Sequence, residues 1–237
     1  MCIKGNLKGL TTRFQWYTIK YIMRNDTKTK IGRIMALAEK LPYFTLADLL
    51  PVEKNKNYLK ILLSRRENSG KIIRLKKGVY VAERYLLEHL DRAEMGFYYE
   101  FLANILYRPS YLSMEYVLYE NNLLTEMPKN FISVTKNKTI SFSNKFGHFF
   151  YHKIKDNLYG GFETIKKGDF TVFKATKVKA LFDFLYLRKN LLVNKESADA
   201  LRLNLNNFSS PNRRELLKYV SREKSKKMKE IFHWLFE

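Results

Sequence analysis

The chain has 237 residues, 46% of them hydrophobic and 15% aromatic, which is enough apolar material for one large or two ordinary packed domains and too much for a disordered chain. Its 44 Lys and Arg against 23 Asp and Glu leave a formal net charge of +21, a balance that points to a polyanionic partner, nucleic acid or an anionic membrane surface, unless a lysine-rich proteome raises every protein in the same way. The lone cysteine, Cys2, excludes an intramolecular disulfide framework and a cysteine-based zinc site, and no apolar run approaches the roughly 20 residues of a membrane-crossing helix, so a cytoplasmic protein is expected.

The charge is uneven. Residues 1–90 carry 19 basic and only 7 acidic side chains. The first acidic residue is Asp26; before it Lys4, Lys8, Arg13, Lys20 and Arg24 alternate with Phe14, Trp16, Tyr17 and Tyr21. Residues 1–29 read as a basic arm, a targeting-like peptide or an extension ahead of a start at Met23. From Lys30 to Leu41, Ile31, Ile34, Met35, Leu37, Ala38 and Leu41 recur at helical spacing, and Pro42 ends that helix. Thr45 and Asp48 have capping-box spacing for a short helix through Leu50, which Pro51 stops.

A second helix is expected to begin between Glu53 and Asn57. Its wheel places Tyr58, Leu59, Ile61, Leu62 and Leu63 on one arc and Lys56, Asn57, Lys60 and Ser64 on the other. No carboxylate interrupts the polar face between 56 and 64, so it can approach phosphates and base edges without repulsion. Arg65 and Arg66 fall on the apolar side, which predicts an end near Ser64 and an exit turn at Asn68, Ser69 and Gly70. The β-branched runs Ile72–Leu75 and Val79–Val81 flank a bend at Gly78 and predict a hairpin with Lys76 and Lys77 at its tip. Helix, turn, basic helix and hairpin in this order predict a winged helix-turn-helix over residues 30–82, a shape that sets a helix in the DNA major groove. Its expected DNA contacts are Lys56, Asn57, Lys60, Ser64, Lys76 and Lys77.

Residues 83–94 are charged and helix-compatible and are expected to connect this domain to a second one over 95–190. There Phe97–Tyr107 predicts an aromatic helix ended by Pro109, and Ser110–Asn122 a further helix capped by Ser113, with Asn122 taking a left-handed turn. After Pro128 the pattern changes. Phe131–Thr135, Thr139–Phe142, His148–Ile154, Gly161–Ile165 and Phe170–Phe173 predict strands of an antiparallel sheet. Lys177–Arg188 predicts a strong helix. A tail over 191–237 is expected to be helical over Ser197–Phe208 and Asn212–Phe236, with 221–230 as a solvated face and Phe232, Trp234, Leu235 and Phe236 docking it. The fold class is α+β: an N-terminal winged helix, a mixed domain whose antiparallel sheet is flanked by helices, and a helical tail packed on that domain.

No catalytic constellation is legible. His148 and His152, four apart in a strand, stand about 13 Å from each other, too far to share a metal. The nearest approach to a metal-carboxylate nuclease is Asp156, Glu163, Lys166 and Asp169, which have loop spacing and no E-x-K step. Phosphate-cradling and dinucleotide-binding glycine patterns are missing. Lys179 and Asp183, four apart on a helix, read as a surface ion pair. No catalytic residue, cofactor or metal is therefore expected.

Over about residues 30–190 the chain resembles the AbiEi family of antitoxins from type IV toxin–antitoxin systems. The resemblance lies in an ordered set: Gly78–Val81 closing the hairpin, Pro109–Ser113, a strand-rich block, Gly161–Phe162, and the helix Lys179–Leu187. Two positions depart from the family: Asn122 stands where glycine is frequent, and Val178 where glutamate is common. The resemblance implies an N-terminal domain that binds inverted repeats in double-stranded operator DNA and represses its own operon. It implies a C-terminal domain that counters a nucleotidyltransferase toxin encoded beside it, without a stable complex. The chain lacks the G-S…D-x-D signature of such a toxin, which suits the antitoxin side. A dimer on the repeat is compatible with this reading. The alternatives are a diverged nucleic-acid-cleaving enzyme targeted by the winged helix, and a non-specific basic nucleic-acid-binding protein.

Overall fold

The structure is a computed structural model that describes residues 29–236, and the chain divides between Asp91 and Arg92 into two units. The basic segment 1–29 lies outside the described residues except for Thr29, which opens the first helix. Together the units are an α+β protein: one small and one larger sheet, helices on both, and helices at the C-terminal end.

In the first unit, α1 (Lys30–Ala38) starts where the Thr29 hydroxyl accepts a hydrogen bond from the Gly32 N–H at 3.1 Å. It buries Ile34, Met35, Leu37 and Ala38, the stripe their spacing predicts. After β1 (Phe44–Thr45), the four-residue α2 (Leu46–Leu49) carries the expected capping box. The Asp48 carboxylate accepts the Thr45 N–H at 2.7 Å and the Thr45 hydroxyl at 2.8 Å. Then come α3 (Lys56–Asn68), β2 (Ile72–Lys76), β3 (Val79–Ala82) and α4 (Glu83–His89). The hairpin forms as expected, and β1 joins it to give an antiparallel sheet of order β1-β3-β2, with Phe44 buried and stacked on Tyr80. Leu59, Leu62 and Leu63 of α3 enter a core with Ile34, Leu37, Leu49, Ile72, Leu75 and Val81. Each such aliphatic side chain contributes about 1.5–3 kcal/mol by leaving water.

The connector expected over 83–94 is not a separate piece. Glu83–His89 is α4, which packs on β3 with Tyr85 and Leu86 buried, and Arg92 already begins the next helix. Helix-compatible sequence with apolar residues to bury folds onto a core rather than spanning a gap.

The second unit is built on a mixed six-stranded sheet of order β6-β7-β5-β4-β9-β8. Its strands are β4 (Ser110–Leu112), β5 (Phe131–Thr135), β6 (Ile140–Asn144), β7 (Gly147–Lys153), β8 (Phe162–Lys167) and β9 (Phe170–Ala175). The five strands expected after Pro128 are present, but the antiparallel expectation fails at two pairings: β5 runs parallel to β7, and β4 parallel to β9. The chain passes from β5 to the edge at β6 and turns back, so β7 inserts between them. The misread strand is β4, expected as the start of a helix. Its three residues are all buried, so it lacks the alternation that marks a half-exposed strand.

One face of the sheet carries α5 (Arg92–Leu106). The Tyr151 hydroxyl donates to the Ala103 carbonyl at 2.6 Å, and the Asn104 amide bridges the Phe173 backbone in both directions. Tyr151 pairs with Ser133 and Ser133 with Leu112, so Tyr111 points to the opposite face. There it meets α7 (Lys177–Arg188), which has the bounds expected and packs against α6 (Met114–Glu120). Asn122 holds the left-handed turn predicted for it, with φ of 57°. In the tail, α8 (Lys195–Asp199) is shorter than the helix expected, and α9 (Ser210–Glu223) and α10 (Lys226–Phe236) break at Lys224, which is left-handed at φ 72°. Residues 221–230 are not simply a solvated face. Glu223 is buried and accepts from the Lys189 ammonium at 2.7 Å and the Ser225 N–H at 2.8 Å, and Met228 is buried with Ile231 in docking α10. Both α9 and α10 pack on α7, as a tail docked on its own domain should.

Candidate nucleic-acid interface

The α3 helix is fixed at both ends by its own sequence. Asn55 caps it, its side-chain oxygen accepting from the Asn57 N–H at 3.0 Å and the Tyr58 N–H at 3.1 Å. The Glu53 carboxylate accepts the Asn55 N–H at 2.7 Å and pairs with Lys30, which ties the start of α3 to α1. At the other end the Ser69 hydroxyl donates to the Arg66 carbonyl at 3.1 Å and Gly70 leaves the helix at φ 75°.

The helix therefore runs past Ser64, contrary to expectation, and this changes its faces. The buried arc is Leu59, Leu62 and Leu63, and Ile61, expected on it, is 55% exposed. The exposed arc consists of Lys56, Asn57, Lys60, Ile61, Ser64, Arg65 and Asn68. Lys56, Asn57, Lys60 and Ser64 thus stand together as the wheel predicts, and Arg65 joins them. Arg66 is half-buried, with its Nε lacking a hydrogen-bond partner. Lys56, Lys60 and Arg65 form no ion pair among the described residues. Two guanidinium groups in the last turn also suit the negative end of the helix dipole, which is why the helix continues through them.

The hairpin contributes less evenly than its sequence suggests. Lys77 is exposed beside Gly78, which turns at φ 80°, whereas Lys76 is half-buried inside β2 and already engaged. The ladder shifts register between Arg74 and Lys76, and Arg74 is exposed one residue before buried Leu75. Arg74 and Arg65 are exposed cations left out of the expected contact set. The first was hidden by the irregular ladder, the second by ending the helix too early.

The acidic residues weighed as a nuclease set do not converge. Asp156 lies in a 3-10 turn, Glu163 and Lys166 in the edge strand β8 rather than in a loop, and Asp169 in the following turn, all exposed. Glu163 borders a groove of about 470 Å³ that also takes in Lys174, Lys177, Asn212 and Glu215. The Lys174 ammonium is held by Glu100 at 2.7 Å and Glu120 at 2.9 Å. Among the described residues no three His, Cys, Asp or Glu are placed to hold a metal ion.

The pair read as a surface contact lies in the interior of the second unit. Lys179 and Asp183 on α7 are both fully buried and ion-paired. The Asp183 carboxylate also accepts the Ser113 hydroxyl at 2.8 Å and the Tyr111 hydroxyl at 3.0 Å. The Lys179 ammonium lies 4.8 Å from the centre of the Phe182 ring and 5.4 Å from that of Tyr219. Burial pushes the Lys179 ammonium down and the Asp183 carboxyl up; the ion pair opposes both shifts, and the two hydroxyls oppose that of Asp183. Gly161 closes the site at φ 71°, where a Cβ would meet the Tyr219 hydroxyl at 2.2 Å, and Phe162 stacks on Tyr111 at 4.8 Å. Three separate stretches thus meet here: Pro109–Ser113 and Lys179–Leu187 supply the buried groups, and the exposed Gly161 with the half-buried Phe162 borders them.

No helix among the described residues is long and apolar enough to cross a membrane. Set against known proteins, the chain matches no family model and no curated relative.

Proposed function

We propose that residues 30–82 form a winged helix-turn-helix that binds double-stranded DNA, with α3 in the major groove and the β2–β3 hairpin beside it. The observation that carries this reading is the exposed face of α3. Three cations without an ion pair among the described residues, Lys56, Lys60 and Arg65, surround Asn57 and Ser64 on a helix capped at both ends. Cations on such a face neutralise phosphates, and the amide and hydroxyl can reach base edges. Lys77 and Arg74 extend the positive surface along the hairpin.

The role that best fits this domain is that of an AbiEi-like antitoxin. The first unit represses the chain's own operon from an inverted-repeat operator, and the second counters a nucleotidyltransferase toxin without holding it in a stable complex. What supports the second half is that the stretches carrying the resemblance in that unit come together: Tyr111, Ser113, Lys179 and Asp183 form a buried centre, and Gly161 borders it from an exposed turn. A motif set scattered by chance has no reason to converge.

The test has two arms. A reporter driven by the region upstream of the chain's reading frame should be repressed by the protein and released by the double variant Lys56→Ala, Lys60→Ala; an unrepressed reporter overturns the DNA half. Co-expression should restore growth to cells producing a nucleotidyltransferase encoded next to the chain. Failure to restore growth overturns the antitoxin half. Metal-dependent cleavage of DNA or RNA, lost on Glu163→Ala, would replace the reading by the enzymatic one.

A further inference from the structure

Ile61 sits in the middle of the exposed face of α3 and is 55% exposed. Its neighbours one turn away are the exposed Asn57, Ser64 and Arg65 and the half-buried Tyr58, whose ring lies 5.4 Å from the Lys30 ammonium, with exposed Lys60 beside it and exposed Asn68 two turns on. A β-branched residue there costs helix propensity relative to alanine and leaves its own apolar area in water, so it brings no advantage to the isolated unit. It is equally unsuited to a protein interface. Interface cores gather several apolar and aromatic side chains, and here Ile61 is the one exposed apolar side chain on the face: Tyr58 beside it is half-buried against Lys30, and the other neighbours are amides, a hydroxyl and cations. That pattern, one apolar group among hydrogen-bonding groups, is what a T·A pair presents in the major groove, where the thymine 5-methyl stands beside the O4, N6 and N7 edges.

We infer that Ile61 is a sequence-reading residue that packs on the 5-methyl group of a thymine while Asn57 and Ser64 engage the adjacent base edges. The inference rests on the DNA reading above and adds a chemical class of base to it. It selects T·A pairs by an apolar contact, whereas the cations of the same face bind without regard to sequence.

The test uses the full chain and two copies of the upstream fragment, one amplified with thymidine and one with deoxyuridine in its place. The uracil copy keeps every hydrogen-bonding edge and lacks only the methyl groups. The wild-type protein should bind it about fourfold more weakly for each methyl contacted. Ile61→Ala should bind the thymine copy more weakly by a similar factor and should no longer distinguish the two copies, and Ile61→Val should fall between. If wild type and Ile61→Ala lose the same factor on uracil DNA, or neither loses any, the inference is wrong while the DNA reading stands. If the wild-type chain does not prefer the upstream fragment to a random duplex, the DNA reading itself falls. A change in oligomeric state on Ile61→Ala, seen by light scattering, would assign the residue to self-association and overturn the inference.

Discussion

The two units treat charge in opposite ways. In the first, Lys56, Lys60 and Arg65 stand exposed on α3 without an ion pair among the described residues, where water stabilises them. In the second, Lys179 and Asp183 are withdrawn completely from water and depend on each other, on two hydroxyls and on flanking rings. An exposed cation adds little to folding and much to binding, whereas a buried pair fixes one arrangement of the chain at a high desolvation cost. Substitutions should therefore separate: changes at the buried centre act on stability, and changes on α3 act on affinity.

The largest effect is expected at Asp183. Asp183→Ala leaves the Lys179 ammonium buried without a counter-charge and strips the acceptor from Tyr111 and Ser113, so unfolding by denaturant should show a loss of about 3–5 kcal/mol. Removing both charges, as Lys179→Met with Asp183→Leu, should recover a large part of it. Next comes Gly161→Ala, which combines a left-handed backbone with a Cβ against the Tyr219 hydroxyl and should cost about 2 kcal/mol. Tyr219→Phe removes the atom in conflict and should return some of that loss. If Gly161→Ala melts like the wild type, the tight approach at Gly161 is not as described.

On α3, Lys60→Ala and Arg65→Ala should each weaken binding to the upstream fragment while changing stability by less than about 0.5 kcal/mol. Arg65 sharpens the comparison, because a helix that ended at Ser64 would remove it from the exposed face. An Arg65→Ala protein with unaltered affinity would restore the shorter contact set.

The smallest effect concerns pH. Burial raises the Glu223 carboxyl, but hydrogen bonds from Lys189 and Ser225 outweigh it and hold the group below its ordinary value of 4.5. A carboxyl depressed in the folded state contributes stability that is present above the unfolded value and lost as pH falls through the folded one. The junction of α9 and α10 should thus loosen below about pH 4.5, readable in Trp234 fluorescence, and Glu223→Gln should remove that pH dependence.

Much of this division was legible in the residues. Local signals worked where one chemical cause acts alone: Thr45 with Asp48 capping α2, Asn122 taking a left-handed turn, and the bounds of α7. They failed where long-range burial decides. Ser110–Leu112 lacks the alternation of a strand because both of its faces are covered, and the four-residue spacing of Lys179 and Asp183 is the same for a surface pair and a buried one. Only the partners brought by the fold, Tyr111 and Ser113, tell the two apart. On α3 the polar residues were placed correctly and the apolar arc was drawn too wide, which hid Ile61 in a core it does not enter.

The central claim is that the exposed face of α3 holds duplex DNA through its cations and selects it through the groups between them. The most direct measurement is the salt dependence of binding for a labelled upstream duplex and a random duplex, with the wild-type chain and the double variant Lys56→Ala, Lys60→Ala. The upstream duplex should bind more tightly, affinity should fall steeply with salt, and the slope of log K against log salt should shrink by about 0.9 for each lysine that contacts a phosphate. Equal affinity for the two duplexes at physiological salt, or a slope that the double variant leaves unchanged, would contradict it.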